Sequence, residues 1–116
     1  MAPLAELAFE LRGDTVIARL RGEVDLSNEA SVKERLFGSV PNSAAALVLD
    51  LSEADYMDSS GVRLLFELAH RLEARGQKLD LVVPDDSAVN RLLVLTEMER
   101  VVPMSNSVDA LLERQR

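Results

Sequence analysis

The sequence predicts a single α/β domain, with a mixed, mainly parallel sheet that follows an N-terminal antiparallel hairpin. Three observations carry that reading. Two strand patterns meet across Gly13-Asp14 near the start of the chain. Two short, largely apolar runs come later, over residues 46–51 and 79–83, of the kind found in strands covered on both faces. Between them lies the clearest amphipathic stretch, with Val62, Leu65, Leu68, Ala69 and Leu72 at three- and four-residue steps.

Each element has a local reason. Residues 4–11 are apolar with isolated charges and fit a strand, and the β-branched stretch 15–20 fits its hairpin partner. Gly22 marks a bulge or bend. Ser27 or Asn28 can cap a helix that runs to about Phe37, where Gly38, Pro41 and Asn42 end it. The run 46–51 passes into an acidic loop with Glu53, Asp55 and Asp58, and a helix from Ser60 to Arg75 follows, stopped by Gly76. Pro84 closes the 79–83 strand. Asp85, Asp86 or Ser87 can cap a helix with Val89, Leu92 and Leu93 inward. A short strand at Val101-Val102 ends at Pro103, and Asn106 or Ser107 caps a last helix with Val108, Leu111 and Leu112. Periodicity alone leaves open whether the helices share one face of the sheet.

Composition excludes several classes of function. The chain has 116 residues and a formal charge of −7, with three Phe, one Tyr and no Trp. Phosphate backbones need Lys and Arg, and stacking platforms need aromatic faces, so nucleic acid is not an expected partner. With no Cys and one His, only carboxylates could hold a metal, and the acidic loops read more simply as solvated turns and caps. No metal or cofactor is expected. The longest uninterrupted apolar run, 44–49, is far too short to span a membrane, and residues 1–11 lack the pattern of a secretory signal. The expected setting is the cytoplasm, without membrane association.

The chemistry concentrates in Asp58-Ser59-Ser60-Gly61, where a strand pattern hands over to a helix. A helix start offers unpaired N–H groups and a partial positive charge, so a serine there is suited to carry a phosphate. A nucleophile elbow fails: Gly-x-Ser-x-Gly is absent, and the one candidate base, His70, lies roughly 16 Å further along the same helix. No catalytic residue is assigned, and the chain is not read as an enzyme. Phosphate-cradling glycine motifs are also absent. A receiver-type phospho-aspartate fits poorly, because a hairpin opens the chain and no lysine follows Val101-Val102-Pro103. Taken alone, the four residues favour a plain N-cap. Capping does not explain a glycine in the first turn, a poor helix former. A flat surface beside the serine, open to another protein's backbone, is the function it suggests.

These residues do not stand alone. Gly22-Glu23-Val24-Asp25, Leu47-Val48-Leu49-Asp50-Leu51, Met57-Asp58-Ser59-Ser60-Gly61 and Arg91-Leu92-Leu93 occur in the order and spacing of a known family. The chain resembles the STAS domain, specifically the bacterial anti-sigma factor antagonists, over about residues 4–113, so that 1–116 is one such domain. The resemblance implies helices packed mainly on one face of the sheet. It implies a phosphorylation-controlled partner switch. In such a switch the dephosphorylated antagonist binds an ATP-binding anti-sigma factor that is also a serine kinase, and so frees the sigma factor. The kinase phosphorylates the first serine of the motif, here Ser59, and a serine phosphatase restores it. Asp58, Ser60 and Gly61 would shape the partner-facing surface, and Asp25 would lie near the phosphosite. Two residues depart from the family pattern. Arg63 and Glu97 stand where glycine is common, and Arg63 is placed either to alter partner choice or to pair with a phosphate on Ser59. The alternative is a STAS scaffold without a switch, or a subunit of a transport or lipid-trafficking complex. Such modules often lack the acceptor serine.

Overall fold

The computed structural model describes residues 3–114. Its elements alternate as the sequence predicts: β1 (Ala5–Arg12), β2 (Thr15–Val24), α1 (Glu29–Gly38), β3 (Ala46–Met57), α2 (Ser59–Ala74), β4 (Lys78–Val82), α3 (Ala88–Leu95), β5 (Met104–Ser105) and α4 (Val108–Arg114). The five strands lie in the order in which the chain makes them. β1 and β2 are antiparallel, and every later pairing is parallel.

That order has a consequence for the helices. When successive parallel strands are laid down in one direction with crossovers of one hand, every crossover helix falls on the same face. α1, α2 and α3 do so, burying Val32, Leu36, Leu64, Leu65, Leu68, Leu72, Val89 and Leu93 against Val16, Ala18, Leu20, Leu47, Leu49 and Leu81. α4 follows β5 and joins no two strands of the described sheet, so it is free of this constraint. It packs on the opposite face, where Leu111 meets Ile17, Val48 and Val82. Apolar side chains on both faces explain the largely apolar runs of β3 and β4.

The termini of α2 are firmly set. Gly76 adopts φ +73°, the N–H of Gln77 reaches back to the Leu72 carbonyl at 2.8 Å, and that of Gly76 to Glu73 at 2.9 Å. This is the glycine-terminated helix end that the sequence predicts. Gln77, buried beyond it, donates to the carbonyls of Pro41 and Ala44 and ties α2 to the loop before β3.

Three expectations need correction. The acidic stretch before Asp58 is strand, not loop, because β3 runs to Met57. The pairing of β2 with β3 shifts register twice, between Arg19 and Arg21 and between Gly22 and Glu23. Each shift leaves β3 with an extra residue, so its inward side chains fall at Leu51, Ala54 and Met57, a spacing of three that hides the strand. Gly22, at φ +105°, sits at the second shift, where a Cβ would lie 2.3 Å from the Leu4 carbonyl oxygen. The last strand is Met104–Ser105. Val101-Val102 lies in the turn after a 3-10 segment at Met98–Arg100. Asn28 occupies the α1 N-cap position, but its side chain accepts from Asp25 N–H instead of from the helix. Leu92 packs against the core as expected but stays partly exposed, whereas Val89 and Leu93 are buried.

Candidate functional site

β2 and β3 stay paired to Val24 and Met57, while β3 and β4 part at Asp50 and Val82. The end of β3 therefore projects past its other neighbour and carries the start of α2 to one extreme of the sheet. Asp58 makes the turn. Its N–H donates to the Val24 carbonyl at 3.2 Å, fixing it to β2. Its backbone is extended, and its Oδ1 accepts from the N–H groups of Ser60, at 2.8 Å, and Gly61, at 3.3 Å. A carboxylate cap also complements the positive end of the helix dipole.

The residues that follow separate by burial. Ser59 is exposed, and its hydroxyl holds no hydrogen bond to another described residue. Ser60 is turned inward, with 7% of its surface accessible. Gly61 is buried as well, and a Cβ there would lie 2.2 Å from Met57 Cγ and 2.9 Å from its Sδ. The glycine makes room for the methionine that ends β3. Internal packing, not a flat outer surface, accounts for it.

Asp25 lies one residue past Val24, so its loop neighbours Asp58 across the β2–β3 pairing. Its carboxylate accepts from the hydroxyl and N–H of Ser27. The Ser27 hydroxyl, then the Ser27 N–H, hold this carboxyl below the usual aspartate range. Leu26 and Tyr56 are largely exposed on the same end of the molecule, beside Asp55.

Arg63 stands one helical turn beyond Ser59 and is 56% exposed. Its Nη2 lies 3.4 Å from Oε1 of Glu29, at the start of α1, and its Nε lies 3.9 Å from Oε1 of Glu67. Lys33 completes the cluster, 2.8 Å from Glu67 and 3.9 Å from Glu29. The Lys33 ammonium holds the Glu67 carboxyl below its ordinary range. Glu29 is nearly buried, and its Oε2 has no hydrogen-bond donor. Glu29, Lys33 and Glu67 are not among the motif residues that the sequence singles out; Met57 is, but its packing against Gly61 is seen only in the structure. Two of the pairs were legible as four-residue spacings, Glu29 with Lys33 and Arg63 with Glu67.

The other chemistry-bearing residues lie elsewhere. His70 is exposed along α2. Among the described residues, no three His, Asp or Glu side chains come together in a way that could hold a metal ion, and no helix is long and apolar enough to cross a membrane.

Glu97, the second departure from the family pattern, lies away from this end, between α3 and the 3-10 segment. It adopts φ 59° and ψ 32°, the left-handed conformation. A backbone of that kind favours glycine for steric reasons.

Comparison with known proteins agrees with this geometry. An anti-sigma factor antagonist from Mycobacterium paratuberculosis superposes with a TM-score of 0.83 at 21% identity, covering 95% of this chain and 92% of that one. The anti-sigma factor antagonist SpoIIAA in its unphosphorylated form gives 0.72 at 20% identity, with coverage of 95% and 96%. The phosphorylated form of the Bacillus SpoIIAA gives 0.66 at 20% identity, with coverage of 96% and 100%. At such identities the likeness is one of fold. Residues 6–111 match the STAS domain family model. With that match over nearly all of its length, and with the strand order and helix placement described above, the chain belongs to the STAS domain family.

Proposed function

We propose that this protein is an anti-sigma factor antagonist whose binding is switched by phosphorylation of Ser59. The observation that carries the reading is the contrast between adjacent serines: Ser59 is exposed and Ser60 is buried. Of these two hydroxyls, a kinase approaching from solvent can reach that of Ser59. The carboxylate of Asp58 and the α2 backbone hold the helix start rigid while that hydroxyl stays outside.

Phosphate adds about −1.5 to −2 charge and three acceptor oxygens. The α2 N-terminus offsets part of this internally, so the fold tolerates it. The contact surface already holds Asp25, Asp55 and Asp58 beside exposed Leu26 and Tyr56. It suits a partner with basic and apolar groups, here an ATP-binding anti-sigma factor with serine kinase activity. Each 1.4 kcal/mol of lost complementarity weakens binding about tenfold. A dianion in such an interface is enough to release the partner, and a serine phosphatase reverses the change.

The test is a mixture of the protein, a candidate anti-sigma kinase from the same genome and ATP, followed by mass spectrometry. Phosphate is expected on Ser59 and not on Ser60. Ser59→Ala should bind the kinase and resist release, whereas Ser59→Asp should bind poorly. Equal binding by all three forms, or no incorporation at Ser59 by any cognate kinase, overturns the switch and favours a constitutive scaffold.

A further inference from the structure

We propose that Arg63 is the internal receptor for a phosphate on Ser59, and that taking up this phosphate draws Arg63 away from Glu29 and so passes the modification on to α1. The inference rests on the reading that Ser59 carries phosphate.

Positions 59 and 63 lie one turn apart on α2 and share a face. Helical side chains lean toward the N-terminus, so the Arg63 stem leads toward Ser59. The guanidinium is poorly committed: its contacts are 3.4 Å to Glu29 and 3.9 Å to Glu67, both longer than a good charge-assisted bond. A phosphate offers a guanidinium two parallel hydrogen bonds and roughly twice the charge of a carboxylate.

What Arg63 leaves behind matters as much. Glu29 has one carboxylate oxygen facing Arg63 and the other buried with no donor. A buried carboxylate stripped of its cation is costly. Lys33, 3.9 Å away, is the group able to compensate, but it is held at 2.8 Å by Glu67. Glu67 is 40% exposed and can be handed to water. The exchange is therefore ordered: phosphate takes Arg63, Glu29 takes Lys33, and Glu67 turns to solvent. Glu29 N–H is bonded to the Asp25 carbonyl at 3.0 Å, so the exchange ends in the loop that carries exposed Leu26, beside the phosphosite. The switch would thus change the shape of the adjoining loop as well as the charge of one residue.

Installing phosphoserine at position 59 during translation, without any kinase, separates this inference from the reading of Ser59 as a natural substrate. The second ionisation of the phosphate is followed by phosphorus NMR in the wild type, Arg63→Gln and Glu29→Gln, and the Glu67 carboxyl by carbon NMR. In the wild type the phosphate should ionise about half a unit to one unit lower than in Arg63→Gln. Removing the competitor in Glu29→Gln should lower it further. Phosphorylation should raise the Glu67 carboxyl toward its ordinary range in the wild type and leave it in place in Arg63→Gln. Equal phosphate ionisation in wild type and Arg63→Gln, or an unmoved Glu67, overturns the proposal. Failure of every kinase to label Ser59 leaves these comparisons intact and instead removes the proposed function.

Discussion

Replacing Gly61 by alanine separates two explanations of the same residue. If the glycine served only to keep an outer surface flat, alanine would stabilise the fold, since alanine is better than glycine in a helix by about 1 kcal/mol. The geometry predicts the opposite. The new methyl would lie 2.2 Å from Met57 Cγ, against an ordinary carbon contact of about 3.5–4.0 Å. The clashing atom is not the free end of a flexible chain. Moving Cγ requires a new rotamer for a nearly buried side chain, one residue before the Asp58 cap. Overpacking of this kind costs about 1–3 kcal/mol, and with the strain at about 2–3 kcal/mol, the upper half of that range, less the helix gain of about 1 kcal/mol, the net loss is about 1–2 kcal/mol. Urea unfolding of the wild type, Gly61→Ala, Met57→Ala and the double variant measures it. The cycle should show a favourable coupling, because removing the methionine relieves the clash and leaves the helix gain of alanine. A Gly61→Ala protein more stable than the wild type by about 1 kcal/mol would refute the packing argument.

Two further outcomes follow from the backbone and the loop chemistry. Glu97 in the left-handed region costs about 1–2 kcal/mol, and glycine returns part of that as unfolded-state entropy, so Glu97→Gly should raise stability by about 0.5–1 kcal/mol and Tm by roughly 2–5 °C. An unchanged or lower melting point would contradict it, since the lost contact to Arg100 is solvent-exposed. The Asp25 carboxyl is held low when folded, so its contribution to stability is present above the ordinary aspartate range near pH 4 and is lost as pH falls through its lower folded value. In Ser27→Ala the carboxyl should titrate closer to the ordinary range by carbon NMR, and an unchanged midpoint would show that the Ser27 hydroxyl is not the cause.

Elements whose burial is regular were legible in the sequence. The Leu65-Leu68-Leu72 stripe, the runs that end at Leu51 and Val83, and the Gly76 stop each encode one local requirement, and the structure uses each in that role. The outer half of β3 was hidden because two register shifts break its two-residue alternation, and Ser52-Glu53-Ala54-Asp55 reads as a turn without them. β5 was displaced because Val101-Val102 looks like a strand, while the pairing with Leu81 and Val82 selects Met104 and Ser105. The start of α2 was found from four residues, yet the burial of Ser60 and the Met57–Gly61 contact depend on how β3 enters the helix. The Glu29–Arg63 pair joins residues 34 positions apart and needs the packing of α1 on α2. Glu97 could be marked as unusual from the family pattern, but only φ 59° gives the reason.

The division of labour at the start of α2 makes the proposed switch separable from the fold. Met57, Ser60 and Gly61 are buried, and substitutions there act on stability before they act on any partner. The Ser59 hydroxyl makes no hydrogen bond to another described residue, so removing it should leave stability within about 0.5 kcal/mol of the wild type. A carboxylate at the same position faces the positive end of the helix dipole, a placement that stabilises by about 0.3–1 kcal/mol. Ser59→Asp is thus expected to fold at least as well as the wild type while binding its partner less tightly. Opposite signs for stability and affinity in one variant cannot arise from partial unfolding. If instead Ser59→Asp loses stability in step with affinity, the hydroxyl belongs to the cap and the surface reading of this site is wrong.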